Sequence, residues 1–238
     1  MKENKIWNDY LPEDMQEHWT VYECLKESED SSTFLVKETA TGILCVLKWG
    51  RNRQTEFLRN EMEIMKKMAD RKLSGIPKAY RIFEENGEVY LVREYIEGMS
   101  LAQMVLQKGG ISEAEICRIS RKICQTAEQF QNPDEPMIHR DIKPENIVVT
   151  PGGEVVFIDF GTMRSYKKDG SRDTFVVGTR GTAAPEQYGY TQTDQRTDVY
   201  AIGQTMLYMV SESYEMNQLS ECAVSRRMKK IIEKACSF

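Results

Sequence analysis

Residues 139–146, His-Arg-Asp-Ile-Lys-Pro-Glu-Asn, put a carboxylate (Asp141), an ammonium (Lys143) and a carboxamide (Asn146) on one short loop. A carboxylate can orient a hydroxyl and accept its proton. An ammonium nearby can neutralise an anionic group in transit, and an amide oxygen is a hard ligand of the kind magnesium takes. A second carboxylate, in Asp159-Phe160-Gly161, follows 18 residues after Asp141 and ends the apolar run Val155–Ile158. Groups of these kinds are what phosphoryl transfer to a hydroxyl requires.

The elements that must position them read as follows. Strand-like runs lie at 20–25, 33–38 and 43–49, broken by a polar stretch and by Thr41-Gly42. Residues 54–69 have helical spacing in Phe57, Leu58, Met62, Ile64, Met65 and Met68. Two further strands, 78–85 and 88–96, flank Asn86-Gly87, a hairpin dipeptide. After Gly98 the pattern turns helical, at 100–108 and 112–131, with Ser112 as a cap. A strand pair (146–150, 154–159), an irregular stretch (160–186) and helices from about 194 complete the chain. The expected organisation is an N-terminal extension (1–18), a β-rich part (19–97) and a mainly helical part (98–238).

The loop at 139–146 resembles the protein-kinase catalytic loop, and Asp159-Phe160-Gly161 resembles that family's magnesium-binding motif. Ala184-Pro185-Glu186 closes the following segment. Asp198-Val199-Tyr200-Ala201-Ile202-Gly203 resembles the helix whose aspartate braces the catalytic loop. With four motifs in order, the chain is similar to the eukaryotic-like (Hanks-type) Ser/Thr protein kinases, and GTRGTAAPEQ has the character of bacterial members. The resemblance implies a bilobal α+β kinase fold, ATP and Mg2+ as cofactors, a protein substrate and autophosphorylation. It makes Asp141 the base with Lys143 beside it, Asn146 and Asp159 the metal ligands, and His139 a packing residue. Cys45-Val46-Leu47-Lys48 is similar to the strand carrying the ATP-binding lysine, and Glu61, 13 residues on, matches its helix partner. Without nucleotide that helix can swing out and break the pair. Val46, Glu94, Ile96 and Val148 would line the base. Arg140 would receive a regulatory phosphate on Thr174. Thr179 would bond Asp141 and Lys143, the Ser/Thr pattern rather than the Tyr one.

The sequence departs from the family in several places. The glycine positions of the phosphate loop hold Lys26, Ser28 and Ser31, among the acids Glu27, Glu29 and Asp30. Residues 26–32 are therefore expected to be poorly ordered or displaced without nucleotide, with the acids toward solvent. Arg93 stands where the family has an apolar residue; a buried guanidinium needs a partner, and Glu61 or Asp159 is the expected one. Glu186 has no evident arginine partner, for which Arg226 or Arg227 could substitute, and the chain reads as cut short at KKIIEKACSF. A catalytically weak pseudokinase scaffold is the alternative. Small-molecule kinases are disfavoured because residues 159–186 supply an activation segment.

Composition bounds the rest. The 238 residues carry a net charge of −5 and a pI near 5.4, which argues against a nucleic-acid partner. Six cysteines form no Cys-x-x-Cys, so they are expected reduced, with Cys117 and Cys124 buried on one helix face. The first residues lack the apolar core of a signal peptide, and no apolar run is long enough to span a bilayer. The expected location is cytoplasmic, an anchor outside this chain aside.

Overall fold

The computed structural model describes residues 11–131, 135–166, 178–189 and 192–237. The chain divides into two compact units, one of residues 1–71 and 77–96, the other of 72–76 and 97–238.

The first unit opens with a short helix, α1 (Glu13–Gln16), and strands β1 (Trp19–Glu27), β2 (Ser31–Glu38) and β3 (Leu44–Gly50). Helix α2 (Gln54–Asp70) follows, then β4 (Ala79–Glu85) and β5 (Glu88–Glu94). The strands form one antiparallel sheet in the order β1-β2-β3-β5-β4. Register fixes which side chains share a face. Lys48 pairs with Leu91 and Val46 with Arg93, so all four point one way, while Cys45, Leu47, Tyr90 and Val92 point the other. On the Lys48 face, Leu58 and Met62 of α2 pack against Val89 and Leu91.

The other face is covered from the N-terminus. Leu11, Met15 and Trp19, each no more than 3% exposed, join Phe34, Val36, Leu47, Tyr90 and Val92 in one cluster. Leu11 and Met15, from the stretch expected as an extension, therefore belong to this core, where they help Trp19 cover Phe34 and Leu47. The hairpin between β1 and β2 also differs from expectation. Rather than being displaced, it closes in a tight turn: Ser28 N donates to Ser31 O (2.8 Å), and the two serine hydroxyls share a bond at 2.8 Å. Side-chain hydrogen bonds hold here what a glycine loop would leave free. Asp30, half-exposed, bonds Arg51 and Asn52.

The second unit begins with β6 (Met99–Ser100), α3 (Leu101–Lys108), α4 (Glu113–Glu128) and β7 (Met137–Ile138). Next come the hairpin β8 (Ile147–Val149) and β9 (Val155–Phe157), β10 (Arg164–Ser165), α5 (Gln195–Ser211) and α6 (Arg226–Ala235). Ser100 and Ser112 cap α3 and α4, accepting from Gln103 N and Glu115 N. A Cβ on Gly98 would lie 2.5 Å from the Val149 carbonyl oxygen, so only glycine lets the chain pass over β8. Helix α5 buries residues on every side, the mark of a helix enclosed by its own unit. At Gly203 it meets Ala235 and Cys236 so closely that a Cβ would come within 2.8 Å of either. Cys117 and Cys124 are exposed, contrary to expectation. Helix α4 buries Ile116, Ile119, Ile123 and Ala127, and each cysteine stands one residue past that stripe. No helix among the described residues is long and apolar enough to cross a membrane.

Candidate active site

In the second unit the loop at 139–146 is built around a backbone that does not hold itself. Arg140, a non-glycine residue, has φ +67°, a left-handed conformation that costs energy unless neighbours enforce it. Three neighbours do. The Asp198 carboxylate accepts from His139 N (2.9 Å) and Arg140 N (3.0 Å). Gln187 Nε2 donates to Arg140 O at 2.6 Å, and Arg140 Nε donates to Thr162 O at 2.7 Å. Asp198 is 2% exposed, and burial pushes its carboxyl up to about 6, against the opposing pull of the two amides.

Beneath the loop, His139 is fully buried against Phe130, Phe157 and Phe160, with ring centroids 5.3–6.2 Å away. Burial pushes its imidazole down to about 4. The ring is therefore neutral at physiological pH, a packing group whose Nδ1 faces the Asp141 amide at 3.4 Å.

Turning out from this base, Asp141 holds the centre. Its Oδ1 accepts the Thr179 hydroxyl at 2.7 Å; its Oδ2 accepts Lys143 Nζ at 2.8 Å and Asn146 Nδ2 at 2.9 Å. Lys143 Nζ also donates to Thr179 Oγ1 at 2.5 Å, closing a triangle. Asn146 gives a second bond to the Asp141 carbonyl at 3.0 Å. Its NH2 group is thus committed inward, which turns Oδ1 the other way, as a cation ligand would need. The β8–β9 hairpin brings the second carboxylate to the same end: Ile158 N donates to Asn146 O at 3.0 Å, and Asp159 is the next residue. Asp159 Oδ1 accepts from Gly161 N at 3.2 Å. Val148 is buried on β8.

The first unit carries the other predicted residues. Lys48 Nζ lies 2.8 Å from both Glu61 oxygens, with side chains 11% and 1% exposed. Lys48 and Glu61 are thus paired in this structure. A buried carboxylate on α2 and a buried ammonium on β3 each offset part of the cost of burying the other. Val46 is buried opposite Arg93; Glu94 accepts Lys78 N at 2.9 Å through its carboxylate; Ile96 is half-buried. Arg93 is 3% exposed, and its Nη1 donates to the Glu94 carbonyl at 2.9 Å, a main-chain partner that sequence reasoning did not name.

Three further outcomes concern the segment after Asp159. Thr174 lies outside the described residues. Glu186 accepts the Thr197 hydroxyl at 2.6 Å, and Arg226 and Arg227, expected as substitutes for its arginine, are exposed on α6. The hydroxyl that bonds Glu186 comes from the first turn of α5. Gln187, Thr162 and Thr197 were not foreseen as parts of the site. The spacing Ala184–Gln187 at the start of a 3-10 turn was the available signal: Gln187 Oε1 caps Ala184 N at 3.0 Å while its Nε2 reaches Arg140 O.

The protein kinase domain model matches residues 20–236. Among curated proteins, serine/threonine-protein kinase D of Synechocystis is 32% identical over 199 residues, 76% of this chain and 38% of that protein. Serine/threonine-protein kinase cds1 of Schizosaccharomyces pombe is 28% identical over 71% of this chain and 37% of its own length. A probable serine/threonine-protein kinase of Clostridium perfringens is 35% identical over 61% of this chain and 21% of its own. The chain thus spans well under half the length of these curated relatives. With its domain match covering almost every described residue, the chain belongs to the protein kinase family, of the eukaryotic-like Ser/Thr type.

Proposed function

We propose that this chain transfers the γ-phosphoryl group of Mg·ATP to serine or threonine hydroxyls of a protein substrate. The observation that carries this reading is the seat on Asp141: one carboxylate oxygen already accepts a threonine hydroxyl at 2.7 Å, while Lys143 and Asn146 fix the other. A substrate hydroxyl presented to the same carboxylate would give up its proton there as it attacks, a contribution of about 10²–10⁴-fold. Lys143 would neutralise charge on the migrating group. Asn146 Oδ1 and the Asp159 carboxylate would hold magnesium, which would supply positive charge against the negative charge developing on the phosphates. Two protein oxygens suit a cation that takes its remaining ligands from phosphate and water. In the first unit, Lys48, fixed by Glu61, would meet the α- and β-phosphates, and Val46, Glu94 and Ile96 would contact the base; Val148, from β8, would do the same. Arg140 would answer a phosphate on Thr174, with autophosphorylation as its source.

The pseudokinase reading keeps one supporting observation. In the glycine-free turn the Ser28 amide is bonded to Ser31 O, so it is not offered to a phosphate. Magnesium-dependent transfer of labelled phosphate to a generic protein substrate, lost in Asp141→Asn with nucleotide binding kept, supports catalysis. Nucleotide binding without transfer by the unaltered protein supports the scaffold.

A further inference from the structure

The turn that lacks glycine is tied to the helix that carries Glu61. Asp30 Oδ1 accepts Arg51 Nε at 3.1 Å and Asn52 Nδ2 at 2.9 Å. Arg51 Nη2 donates to Glu29 O at 2.9 Å, and Arg51 N donates to Asp30 O at 3.0 Å. The Arg51 guanidinium also lies over the Trp49 ring, 5.8 Å from its centroid. Three backbone groups (Glu29 O, Asp30 O and Arg51 N) and three side chains (Asp30, Arg51 and Asn52) thus hold the β1–β2 turn against the segment that follows β3.

That segment is the root of α2. Just three residues, Arg51–Arg53, separate β3 from the helix. Asn52 sits at φ +54°, and its carbonyl accepts the Thr55 hydroxyl at 2.8 Å; Gln54 N donates to Arg51 O at 3.0 Å. Gly50 meets the helix so closely that a Cβ there would lie 2.8 Å from Gln54 Cβ. Two turns further on, Arg59 grips Glu84 of β4 with both Nε (2.7 Å) and Nη2 (2.8 Å), a bidentate pair. Glu61 lies two residues beyond Arg59.

We infer that Asp30, with Arg51 and Asn52, and the Arg59–Glu84 pair are positioning residues that hold α2 against the sheet so that Lys48–Glu61 stays assembled without nucleotide. Asp30, an acid inside the glycine-free turn, thus serves the helix rather than the phosphates. The value of this for phosphoryl transfer rests on the kinase reading above; the ties themselves do not. Each tie is half-exposed, with Arg51 and Asp30 at 45% and 42%, so each shifts the helix equilibrium by about 1.4- to 5-fold, and two together multiply.

The test reads Lys48 itself. Full-length protein is acetylated with a water-soluble N-hydroxysuccinimide ester, and the rate at Lys48 is followed by peptide mass spectrometry, with Lys67 as the reference lysine. Glu61→Gln sets the rate of an unpaired Lys48. Asp30→Ala and Glu84→Ala are each expected to raise the rate at Lys48 up to about 5-fold, and the double variant to approach the Glu61→Gln rate. Asp30→Asn, which keeps the acceptor oxygen, stays within about twofold of the unaltered protein. A general loosening would raise Lys67 in parallel and would count against the inference. Unchanged Lys48 rates in the double variant would overturn it, as would a Glu61→Gln rate equal to that of the unaltered protein. Failure of phosphate transfer alongside the expected acetylation pattern would refute the kinase reading and leave the ties standing.

Discussion

Acidification should draw a stability cost from His139. The imidazole is fully buried among three phenyl rings, and burial holds its pKa near 4, against about 6.5 in an unfolded chain. As pH falls below 6.5 the unfolded chain binds a proton that the folded chain refuses, so stability is lost from pH 6.5 down to about 4. A displacement of that size corresponds to about 3 kcal/mol at pH 4, a large share of the total stability of a typical domain. The reference is His139→Phe, which keeps a ring of similar size and does not titrate. At neutral pH it should cost little. The bond it loses, Asp141 N to Nδ1, is long at 3.4 Å, and the ring's Nε2 has no hydrogen-bond partner among the described residues. Urea unfolding of both proteins from pH 7 to 4 gives the difference directly. The expected result is a gap that moves by about 3 kcal/mol in favour of the variant as pH falls. A gap constant within about 0.5 kcal/mol over that range would refute the argument, because every other titrating group is common to both proteins.

Met15→Ala should destabilise the first unit by about 2–5 kcal/mol, seen in thermal or denaturant unfolding, because Met15 is a buried member of the sheet core; a cost below about 0.5 kcal/mol would return residues 11–18 to the status of an appendage. Gly98→Ala should cost about 1–3 kcal/mol, since its Cβ would be driven toward the Val149 carbonyl, and equal stability would show that the backbone there yields. Thr179→Val, which removes the hydroxyl shared by Asp141 and Lys143, should lower transfer by about tenfold with the fold intact by circular dichroism, and Thr179→Ser should restore most of it.

Much of this was legible in the sequence because the elements are long and the motifs dense. Helix α2 spans 17 residues with an apolar stripe, and the pattern located it within a residue at either end. The catalytic-loop residues are consecutive, so their convergence on Asp141 needed little tertiary information. What escaped notice lacks period. Helix α1 has four residues, too few to show a 3.6 repeat, and Leu11 and Met15 are core because the sheet face above them is apolar. The β1–β2 turn read as a solvated polar run because serine, aspartate and glutamate look alike to hydropathy. What distinguishes them is the Arg51–Asn52 segment they meet in space. Gln187 Nε2 donates to the Arg140 carbonyl across 47 residues, and the Thr162 carbonyl accepts from Arg140 Nε across 22, contacts that no local spacing encodes. Cys117 and Cys124 were misplaced by one helical position, since a spacing of seven fixes a common face without saying which face is inside.

The most direct test of the central claim is transfer of labelled γ-phosphate from Mg·ATP to a protein substrate by the unaltered chain and by Asp141→Asn, with nucleotide binding measured in parallel by calorimetry. The account predicts transfer onto serine and threonine, reduced by about 10²–10⁴-fold in the variant while nucleotide affinity stays within a few-fold. Transfer at the unaltered rate in Asp141→Asn, or binding without any transfer in the unaltered chain, would contradict it.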